Sequence, residues 1–478
     1  MLRIQIQVIV MRQNETPFLD AVLNYIKKGL IPFHTPGHIQ GRGVNRKFLE
    51  FWPKALAGDL AEVEHPKSHH DYDAVRKEAE DLLAELYGAK RSFFLCNGTT
   101  EGIQALCLAF LKENSTVLLH RNAHRSIVGG LILTGAKPRW VYPRVDQSWG
   151  MATVVDTETW LEESRGVDAA FHLYPNYFGM CQDLENQVLD NVPNLVDEAH
   201  GPHFQFSDRL PPCALEYNIT AAVQSTHKIL SSLTQSSWMH VKIETAVLKI
   251  EKALSIIEST SPNFLLWASL DAARALEAEN PKRFDDLIER VNNLKAEIKQ
   301  IEGLKIFELD GHEEIKAIDP LKLIISATDL GLNGFELKDE LRLRGIMPEL
   351  AETGWVLFII TPSHQKQELD SLKQALEDIA RGMNKVKSSN HKFTDYPRLK
   401  ARLTPKEAFF SAGESKDLTK TNGLIATEMV VPYPPGIPLV MPGEEITKEV
   451  IELIQYYQSL GWFIRGLEDK TAKKIRVL

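Results

Sequence analysis

The residues from Ala221 to Lys228 read AAVQSTHK. A short apolar run that ends in small polar side chains is typical of a buried strand and the loop that follows it. A lysine in that loop is placed to attack a carbonyl carbon and form a Schiff base, because desolvation or a neighbouring cation lowers the pKa of its amine. Alone, this pattern is weak evidence, since most lysines are solvated surface charges.

Similar apolar runs alternate with helical stretches between Ser92 and Ile243. They are Ser92–Cys96, Thr116–Leu119, Arg139–Tyr142, Ala169–Leu173, Asn194–Asp197 and Ala221–Gln224. This alternation predicts an α/β fold with a mostly parallel sheet covered on both faces. Ligands bind at the carboxyl ends of the strands in such folds, so the residues directly after these runs are candidate site residues.

The rest of the chain predicts smaller α+β parts. Helical periodicity at Leu265–Leu276 and Phe284–Ile301 leads out of the sheet region. Strand, helix, strand and helix patterns then follow at Leu321–Ser326, Gly334–Arg344, Val356–Thr361 and Gln365–Met383. We therefore predict an N-terminal arm (1–58), a large cofactor-binding domain (59–300), a small α+β domain (301–385) and a C-terminal domain (386–478).

Composition excludes several classes of protein. A chain of 478 residues with 44% hydrophobic content can bury a large core. Its net charge of -9 and lack of a long basic run argue against nucleic acid or an anionic membrane as the main partner. The four cysteines show neither zinc-site spacing nor the density of a disulfide scaffold. No apolar run is long enough to span a bilayer, and we expect a cytoplasmic protein.

The segment Asn97–Gly102 reads NGTTEG and lies between a predicted strand and a predicted helix. Free backbone amides, the hydroxyl groups of Thr99 and Thr100 and the positive helix end together form a suitable cradle for a phosphate group. The alternative is an ordinary helix cap made by a threonine.

Asp197 and His124 add the features of a cofactor site. A carboxylate at the end of the Leu195–Val196 run would keep a pyridine nitrogen protonated, and that proton makes the ring an electron sink. His124 is suited to stack on a planar ring and to transfer a proton near neutral pH. With Lys228, these features indicate pyridoxal phosphate (PLP). The alternatives are a helix-capping aspartate and a structural histidine.

A metal site is the less favoured interpretation of the remaining histidines. The candidate ligands are His65, His69, His70, Asp71, Asp73, His200 and His203. Neither a helical His-Glu-x-x-His motif nor a Cys-rich motif accompanies them, so we predict no metal.

Taken together, the segments resemble the bacterial-type Orn/Lys/Arg decarboxylases, which are PLP-dependent enzymes of the aspartate-aminotransferase fold. The matching segments are Phe33–His38, Asn97–Gly102, Arg121–Ser126, Val196–Gly201, Gln224–Lys228, Thr260–Pro262 and Glu428–Pro438. They occur in the family's order, and this joint order is far more specific than any one motif.

The resemblance implies a role for each matching residue. Lys228 would hold PLP as a Schiff base, Asp197 would pair with the ring nitrogen, and His124 would stack over the ring. The implied neighbours of the phosphate are Thr99, Thr100, Ser225 and His227, while His200 would pack beside the cofactor. Family members are dimers or larger assemblies with the site at the subunit interface. Ser261 and the His34–His38 loop would therefore act on a neighbour's site.

Three departures from the family pattern concern the substrate more than the cofactor. Only about 30 residues precede His34, so we expect the additional N-terminal domain of the long family members to be missing. Ile39 stands where lysine is usual, and Asp71–Ala74 replaces a Pro-x-Gly element.

The function that the resemblance implies is decarboxylation of a basic amino acid in polyamine biosynthesis. Conversion of arginine to agmatine is the first choice, and lysine and ornithine are the alternative substrates. An acidic residue between positions 59 and 73, or Glu428, would meet the distal cationic group. An aminotransferase or side-chain lyase of the same fold is a rival function, and a catalytically silent PLP-binding regulator is another.

Overall fold

The computed structural model describes residues 12–52, 54–61, 63, 72–383, 397–433, 436–459 and 461–478. The α-helices in these ranges are α1 (Pro17–Lys28), α2 (Arg46–Phe51), α3 (Tyr72–Tyr87), α4 (Gly98–Phe110), α5 (Ser126–Thr134), α6 (Thr157–Glu163), α7 (Leu184–Gln187), α8 (Glu244–Ile257), α9 (Phe264–Glu279), α10 (Arg283–Ile298), α11 (Gly334–Leu343), α12 (Lys366–Gly382), α13 (Pro405–Phe410) and α14 (Lys448–Ser459).

The strands alternate with these helices. They are β1 (Arg91–Leu95), β2 (Thr116–His120), β3 (Lys137–Val141), β4 (Val145–Asp146), β5 (Met151–Ala152), β6 (Ala169–Leu173), β7 (Met180–Cys181), β8 (Asn194–Asp197), β9 (Ala221–Gln224), β10 (Ser237–Val241), β11 (Lys305–Ile306), β12 (Ala317–Ile318), β13 (Lys322–Ser326), β14 (Leu350–Ala351), β15 (Val356–Ile359), β16 (Glu414–Asp417), β17 (Val431–Tyr433), β18 (Phe463–Arg465) and β19 (Lys474–Val477).

The chain forms two compact units. The first contains the described residues up to 105 together with 197–208 and 212–285, and the second contains 106–196, 209–211 and 286–478. Each unit is described separately below. The predicted division into four domains stays a prediction.

In the first unit, β10 pairs antiparallel with both β1 and β9. Leu95 lies opposite Ser237, and Trp238 lies opposite Gln224. The prediction that Ala221–Gln224 is a buried strand is confirmed, since all four residues are buried. The sequence analysis missed β10, because its buried Ser237 and His240 are polar residues within an otherwise apolar segment.

In the second unit, β2 pairs parallel with β3 and with β6. β8 lies next to β6, so the predicted strand runs are confirmed in this part of the chain. A separate antiparallel sheet has the order β11-β13-β15-β14. Strands β13 and β15 and the helices α11 and α12 match the predicted strand-helix-strand-helix pattern to within two residues, whereas the two-residue strands β11 and β14 were not predicted.

Two glycines hold the start of α4 against the strands of the first unit. Gly98 has a φ of +69° and donates its amide to the carbonyl oxygen of Gln235 at 2.8 Å. A Cβ atom on Gly102 would lie 2.7 Å from Cγ1 of Val223 and 2.9 Å from Cδ1 of Leu95. The helix can therefore approach β1 and β9 only because position 102 has no side chain.

A buried carboxylate fixes α3 to β1. Glu80 accepts hydrogen bonds from the Phe94 amide at 2.8 Å, from Nε of Arg76 at 2.7 Å and from Nη2 of Arg91 at 2.6 Å. The Arg76 guanidinium also lies 4.2 Å from the centre of the Trp267 ring. Because the buried charge has several partners, this network orients α3 without leaving an unpaired ion.

Several sequence predictions fall on residues outside the described ranges. They are the candidate metal ligands His65, His69, His70 and Asp71. Across the part of the chain that the structure describes, no helix combines the length and the apolar character needed to span a bilayer.

We predict that Gly102→Val lowers the free energy of unfolding by about 1–3 kcal/mol, because the new side chain must displace buried atoms of Val223 and Leu95. Chemical denaturation measures this change. Gln104→Val is the matched control, since it introduces the same β-branched residue into the same helix at a partly exposed position. The control should cost less than about 1 kcal/mol. Equal losses at both positions would contradict the packing argument.

Candidate active site

Lys228 ends a short 3-10 turn, Thr226–Lys228, that follows β9 directly. Its Nζ atom lies 2.9 Å from Nε2 of His200, which is within hydrogen-bonding distance. His200 is buried and Lys228 is partly buried. The lysine amine is therefore held at the end of a buried strand, next to an imidazole that can exchange a proton with it.

Asp197 is the last residue of β8 and is buried. Its Oδ1 atom accepts a hydrogen bond from the Ala199 amide at 3.1 Å. Burial raises the pKa of this carboxyl group, while the positive charge of Lys228 and the Ala199 amide lower it by smaller amounts. A cationic partner, such as a protonated pyridine nitrogen, would favour the ionised form.

Thr99 and Ser225 meet at the beginning of α4. Their hydroxyl oxygens are 3.1 Å apart, and Ser225 is buried. Thr100 is the next residue of the helix and is partly buried. The first turn of a helix leaves backbone amides without intrahelical acceptors, so this corner offers both amide and hydroxyl donors to an anion.

His227 lies on the same turn as Lys228. Its Nδ1 atom donates to the carbonyl oxygen of Ser236 at 2.7 Å. Burial lowers the pKa of this ring and Lys228 lowers it further, while the Ser236 carbonyl acts in the opposite direction. Since Nδ1 carries a proton in this arrangement, Nε2 donates to a phosphate oxygen only when the ring is protonated.

These residues of the first unit fit PLP. Lys228 supplies a primary amine, Asp197 a buried carboxylate, and the start of α4 a set of hydroxyl and amide donors. The three groups lie at or directly after the carboxyl ends of β9, β8 and β1. This is where the sequence predicted a ligand to bind.

His124 belongs to the second unit, where its ring is exposed. Its Nδ1 atom accepts a hydrogen bond from the Ser126 amide at 3.3 Å and lies 3.0 Å from the Ser126 hydroxyl oxygen. The proton of a neutral ring is therefore on Nε2. Gly436 lies beside the ring, because a Cβ atom at that position would be 3.5 Å from Nε2.

Arg121 joins the His124 loop to the C-terminal motif within the second unit. Its buried guanidinium donates to the carbonyl oxygens of Pro438 at 2.7 Å and Leu439 at 2.9 Å, and it lies 3.2 Å from Oε2 of Glu444. Two segments that are more than 300 residues apart in the sequence therefore form one local structure.

Glu428 has a different environment from the one expected of a substrate ligand. Its Oε1 atom accepts the Arg476 amide and its Oε2 atom accepts the Glu468 amide, both at 2.8 Å. Both carboxylate oxygens thus bind the backbone of the C-terminal segment, which supports a structural role.

The N-terminal loop and Ser261 present polar groups at the surface of the first unit. The Tyr25 hydroxyl lies 2.6 Å from Nε2 of His34, and Nε2 of His38 lies 3.0 Å from Oδ2 of Asp59. Nδ1 of His38 accepts the Gly41 amide, so the proton of a neutral ring is on Nε2 and points to Asp59. Ser261 is exposed.

The sequence analysis missed the importance of Glu198 and Gln224. Both are buried, and Nε2 of Gln224 donates to Oε2 of Glu198 at 2.8 Å. Burial raises the pKa of Glu198 to about 8, although its hydrogen bonds oppose that change. The available signal was the pair of adjacent acidic residues, Asp197 and Glu198. Neighbouring side chains of an extended segment point in opposite directions, so the two carboxyl groups were to be expected in different surroundings.

Among the described residues, no group of three or more His, Cys, Asp or Glu side chains is arranged to hold a metal ion. His200 and His203 lie within these residues, while His65, His69, His70 and Asp71 do not.

Two family models match the chain. The model of the Orn/Lys/Arg decarboxylase major domain matches residues 16–368, and the model of the Orn/Lys/Arg decarboxylase C-terminal domain matches residues 387–467. These matches include the segments that carry Lys228, Asp197 and His124.

Proteins of known name are similar over most of the chain. Arginine decarboxylase of Bacillus subtilis (strain 168) is 34% identical and covers 98% of this chain and 99% of its own length. Arginine decarboxylase of Bacillus anthracis is 33% identical and covers 98% of both chains. Inducible lysine decarboxylase of Escherichia coli (strain K12) is 24% identical over 95% of this chain and 78% of its own length.

Solved structures show the same fold. The lysine decarboxylase LdcF of Francisella novicida has a TM-score of 0.81 at 20% identity and covers 96% of this chain and 80% of its own. The predicted α/β fold class is therefore confirmed. The family matches also confirm the expected type of enzyme, a PLP-dependent amino-acid decarboxylase, and its cofactor. With the two family models together spanning most of its length, this chain belongs to the Orn/Lys/Arg decarboxylase family.

Proposed function

We propose that the chain converts arginine to agmatine and carbon dioxide, with PLP held on Lys228. The observation that carries this proposal is the contact of Lys228 with His200 beside the buried Asp197. The choice of arginine rests on relatives named arginine decarboxylase, which are 31–34% identical to this chain. The relatives named lysine decarboxylase are 23–24% identical.

Asp197 is the counter-ion of the cofactor ring in this proposal. Bound PLP accepts the electron pair that remains on Cα when carbon dioxide leaves. A carboxylate that burial has separated from water interacts strongly with a positive charge, so Asp197 keeps a proton on the ring nitrogen. In this proposal, burial of the Asp197 side chain therefore serves to strengthen its interaction with the cofactor ring.

Lys228 is the proposed proton donor to Cα, and the role of His124 is the one that the family resemblance implies. Lys228 would hold the cofactor through its amine, and this amine would be free to act on protons once the substrate is bound. The freed amine then lies next to His200, which is able to share its proton. The residues around Lys228 would have to hold the substrate carboxylate in a fixed orientation for carbon dioxide to leave.

The phosphate lies in this proposal at the start of α4. Thr99, Thr100 and Ser225 would donate hydroxyl hydrogen bonds to it, and the amides at the start of the helix would donate as well. A doubly charged phosphate would raise the pKa of His227 and favour the ring form that donates from Nε2. Ser261 is the remaining candidate ligand. It is exposed, so it would be accessible to the cofactor site of a neighbouring subunit.

The working unit is proposed to be a cytoplasmic homodimer or a larger assembly of dimers. Large apolar side chains are exposed in the N-terminal arm, including Phe33 at 99% and Phe51 at 78%. A concentration of exposed apolar side chains in one segment marks a candidate surface for a protein partner. A two-fold contact would place each His34–His38 loop against the other subunit in the same way.

Product analysis tests the substrate. The protein is incubated with PLP and with arginine, lysine or ornithine, and the amine formed is measured. We expect a kcat/KM for arginine, which gives agmatine, at least ~10-fold above the values for lysine, which gives cadaverine, and ornithine, which gives putrescine. Faster formation of either other amine would contradict the choice of arginine. Conversion of the cofactor to its amine form would indicate an aminotransferase, and absence of any turnover would indicate a regulator.

We expect borohydride reduction to fix the pyridoxyl group on Lys228, because this amine is partly desolvated and lies at the end of a buried strand. Peptide mass spectrometry locates the adduct, and Lys228→Ala should abolish it. Lys242→Ala is a control in the same unit, since Nζ of Lys242 donates to the carbonyl oxygens of Leu215 and Tyr217. An adduct on any other lysine would exclude the assignment.

Asp197→Asn should retain PLP but lower kcat by ~10²–10³-fold, the size of effect seen when one electrostatic stabiliser is removed. Steady-state kinetics on cofactor-saturated protein measure the loss. Glu277→Gln neutralises another buried carboxyl group of the same unit, one whose pKa burial raises to about 7, and should keep the wild-type kcat. Near-normal turnover in Asp197→Asn would leave Asp197 with only a structural role.

Mixing inactive variants tests the shared site. His38→Ala subunits and Lys228→Ala subunits should complement, because one site of each heterodimer would receive both intact residues. Random exchange gives half heterodimers with one good site each, so roughly a quarter of the wild-type activity should return. Verified subunit exchange without any recovery of activity would rule out a site shared between subunits.

A further inference from the structure

Glu198 follows Asp197 directly but contacts a different set of groups. Its side chain is fully buried, with Oε1 accepting the Ala214 amide at 2.8 Å and Oε2 accepting Nε2 of Gln224 at 2.8 Å. The backbone amide of Glu198 also donates to the carbonyl oxygen of Val223 at 2.9 Å. Glu198 is therefore attached to β9 through both its backbone and its side chain.

The hydrogen bonds continue from Gln224 through two further buried side chains. Oε1 of Gln224 lies 3.0 Å from Nε2 of His240, and Nδ1 of His240 lies 2.8 Å from the Ser92 hydroxyl oxygen. Burial lowers the pKa of His240 to about 3, so one ring nitrogen donates and the other accepts. Ser92, His240, Gln224 and Glu198 form a continuous chain of buried hydrogen bonds within the first unit, here called the buried chain.

Two residues of the buried chain are neighbours in sequence of two candidate active-site residues. Glu198 is adjacent to Asp197, and Gln224 is adjacent to Ser225, the residue before the turn that carries Lys228. The bond between Glu198 and Gln224 therefore joins the segment with the buried carboxylate to the segment with the amine. Separation of this pair would release both segments from the same contact.

We propose that Glu198 is a positioning residue, which through Gln224 sets the spacing between the Asp197 carboxylate and the Ser225–Lys228 turn. The proposal rests on the function proposed above, since it assigns Asp197 and Lys228 to the cofactor. Glu198 itself touches neither substrate nor cofactor in this account. Its effect reaches them through the two neighbouring residues.

The chemistry of the buried chain makes glutamine an informative replacement. In Glu198→Gln the side-chain oxygen still accepts the Ala214 amide. The new amide group donates to the side-chain oxygen of Gln224 once the Gln224 amide has flipped, which exchanges the positions of its oxygen and nitrogen. His240 then takes its other neutral tautomer and donates to Ser92. Every polar group of the buried chain keeps a partner after this reversal, and the Cys213 thiol, which donates to Oε2 of Glu198 at 3.8 Å, would instead accept from the new amide group. Alanine provides neither a donor nor an acceptor, so it leaves Gln224 and the Ala214 amide without theirs.

The experiment compares Glu198→Ala, Glu198→Gln and Glu277→Ala as PLP-loaded proteins. The first measurement is the rate of PLP release, followed by absorbance, and the second is kcat and KM for arginine at saturating PLP. For Glu198→Ala we expect PLP release at least ~10-fold faster and a kcat ~10–100-fold lower, with KM changed less than ~3-fold. Glu198→Gln should return both rates to within ~3-fold of wild type.

Glu277→Ala controls for loss of a buried carboxylate, because Glu277 is equally buried in the same unit and lies outside the buried chain. It should lower the stability to denaturant while leaving PLP release and kcat unchanged. If Glu198→Ala does not fold, Gln224→Met breaks the same bond from the other partner and should show the same pair of changes.

Three results would overturn the proposal. They are wild-type PLP release and kcat in Glu198→Ala, equal damage in Glu198→Gln and Glu198→Ala, or equal functional loss in Glu277→Ala. Failure of the proposed function would look different. Wild-type protein would then release no carbon dioxide from arginine, or would carry its pyridoxyl group on another lysine, whereas the PLP release rates of the variants would still test Glu198.

Discussion

A carboxylate held away from water is the constraint on which the rest of this structure depends. Asp197 is buried at the end of β8, where the Ala199 amide and the nearby positive charge of Lys228 only partly offset the cost of its burial. A lone ion in such a place is unfavourable unless a cation joins it. In the proposed function, PLP with its protonated ring nitrogen would supply that cation, so cofactor binding would also stabilise this side chain.

Within each unit, the elements around the candidate site residues hold them in place. Gly102 lets α4 pack directly on β1 and β9, which fixes Thr99 beside Ser225. The turn after β9 carries Lys228 to His200. In the second unit, Arg121 attaches the C-terminal motif to the His124 loop. In each case, contacts between segments that are far apart in the sequence fix the positions of a few polar atoms. Fixed polar groups of this kind are the basis of a preorganised site.

The sequence predicted the buried strands and the residues that follow them, because unbroken apolar runs and strand-end polar residues are local signals. It missed β10, whose His240 and Ser237 are polar although buried, and therefore also missed that this strand runs antiparallel to both β1 and β9. The bond between Glu198 and Gln224 was not predictable either. Two polar residues 26 positions apart reveal their pairing only when the fold brings them together, since neither leaves a periodic pattern in the sequence.

The central claim is that ionised Asp197 keeps a proton on the ring nitrogen of the cofactor. Nitrogen-15 NMR of holoenzyme loaded with ring-labelled PLP measures this proton directly. The account predicts the chemical shift of a protonated ring nitrogen from about pH 6 to about pH 9, because the buried carboxylate stabilises the positive charge throughout that range. The shift of an unprotonated nitrogen at neutral pH, in protein whose cofactor is bound to Lys228, would contradict the account.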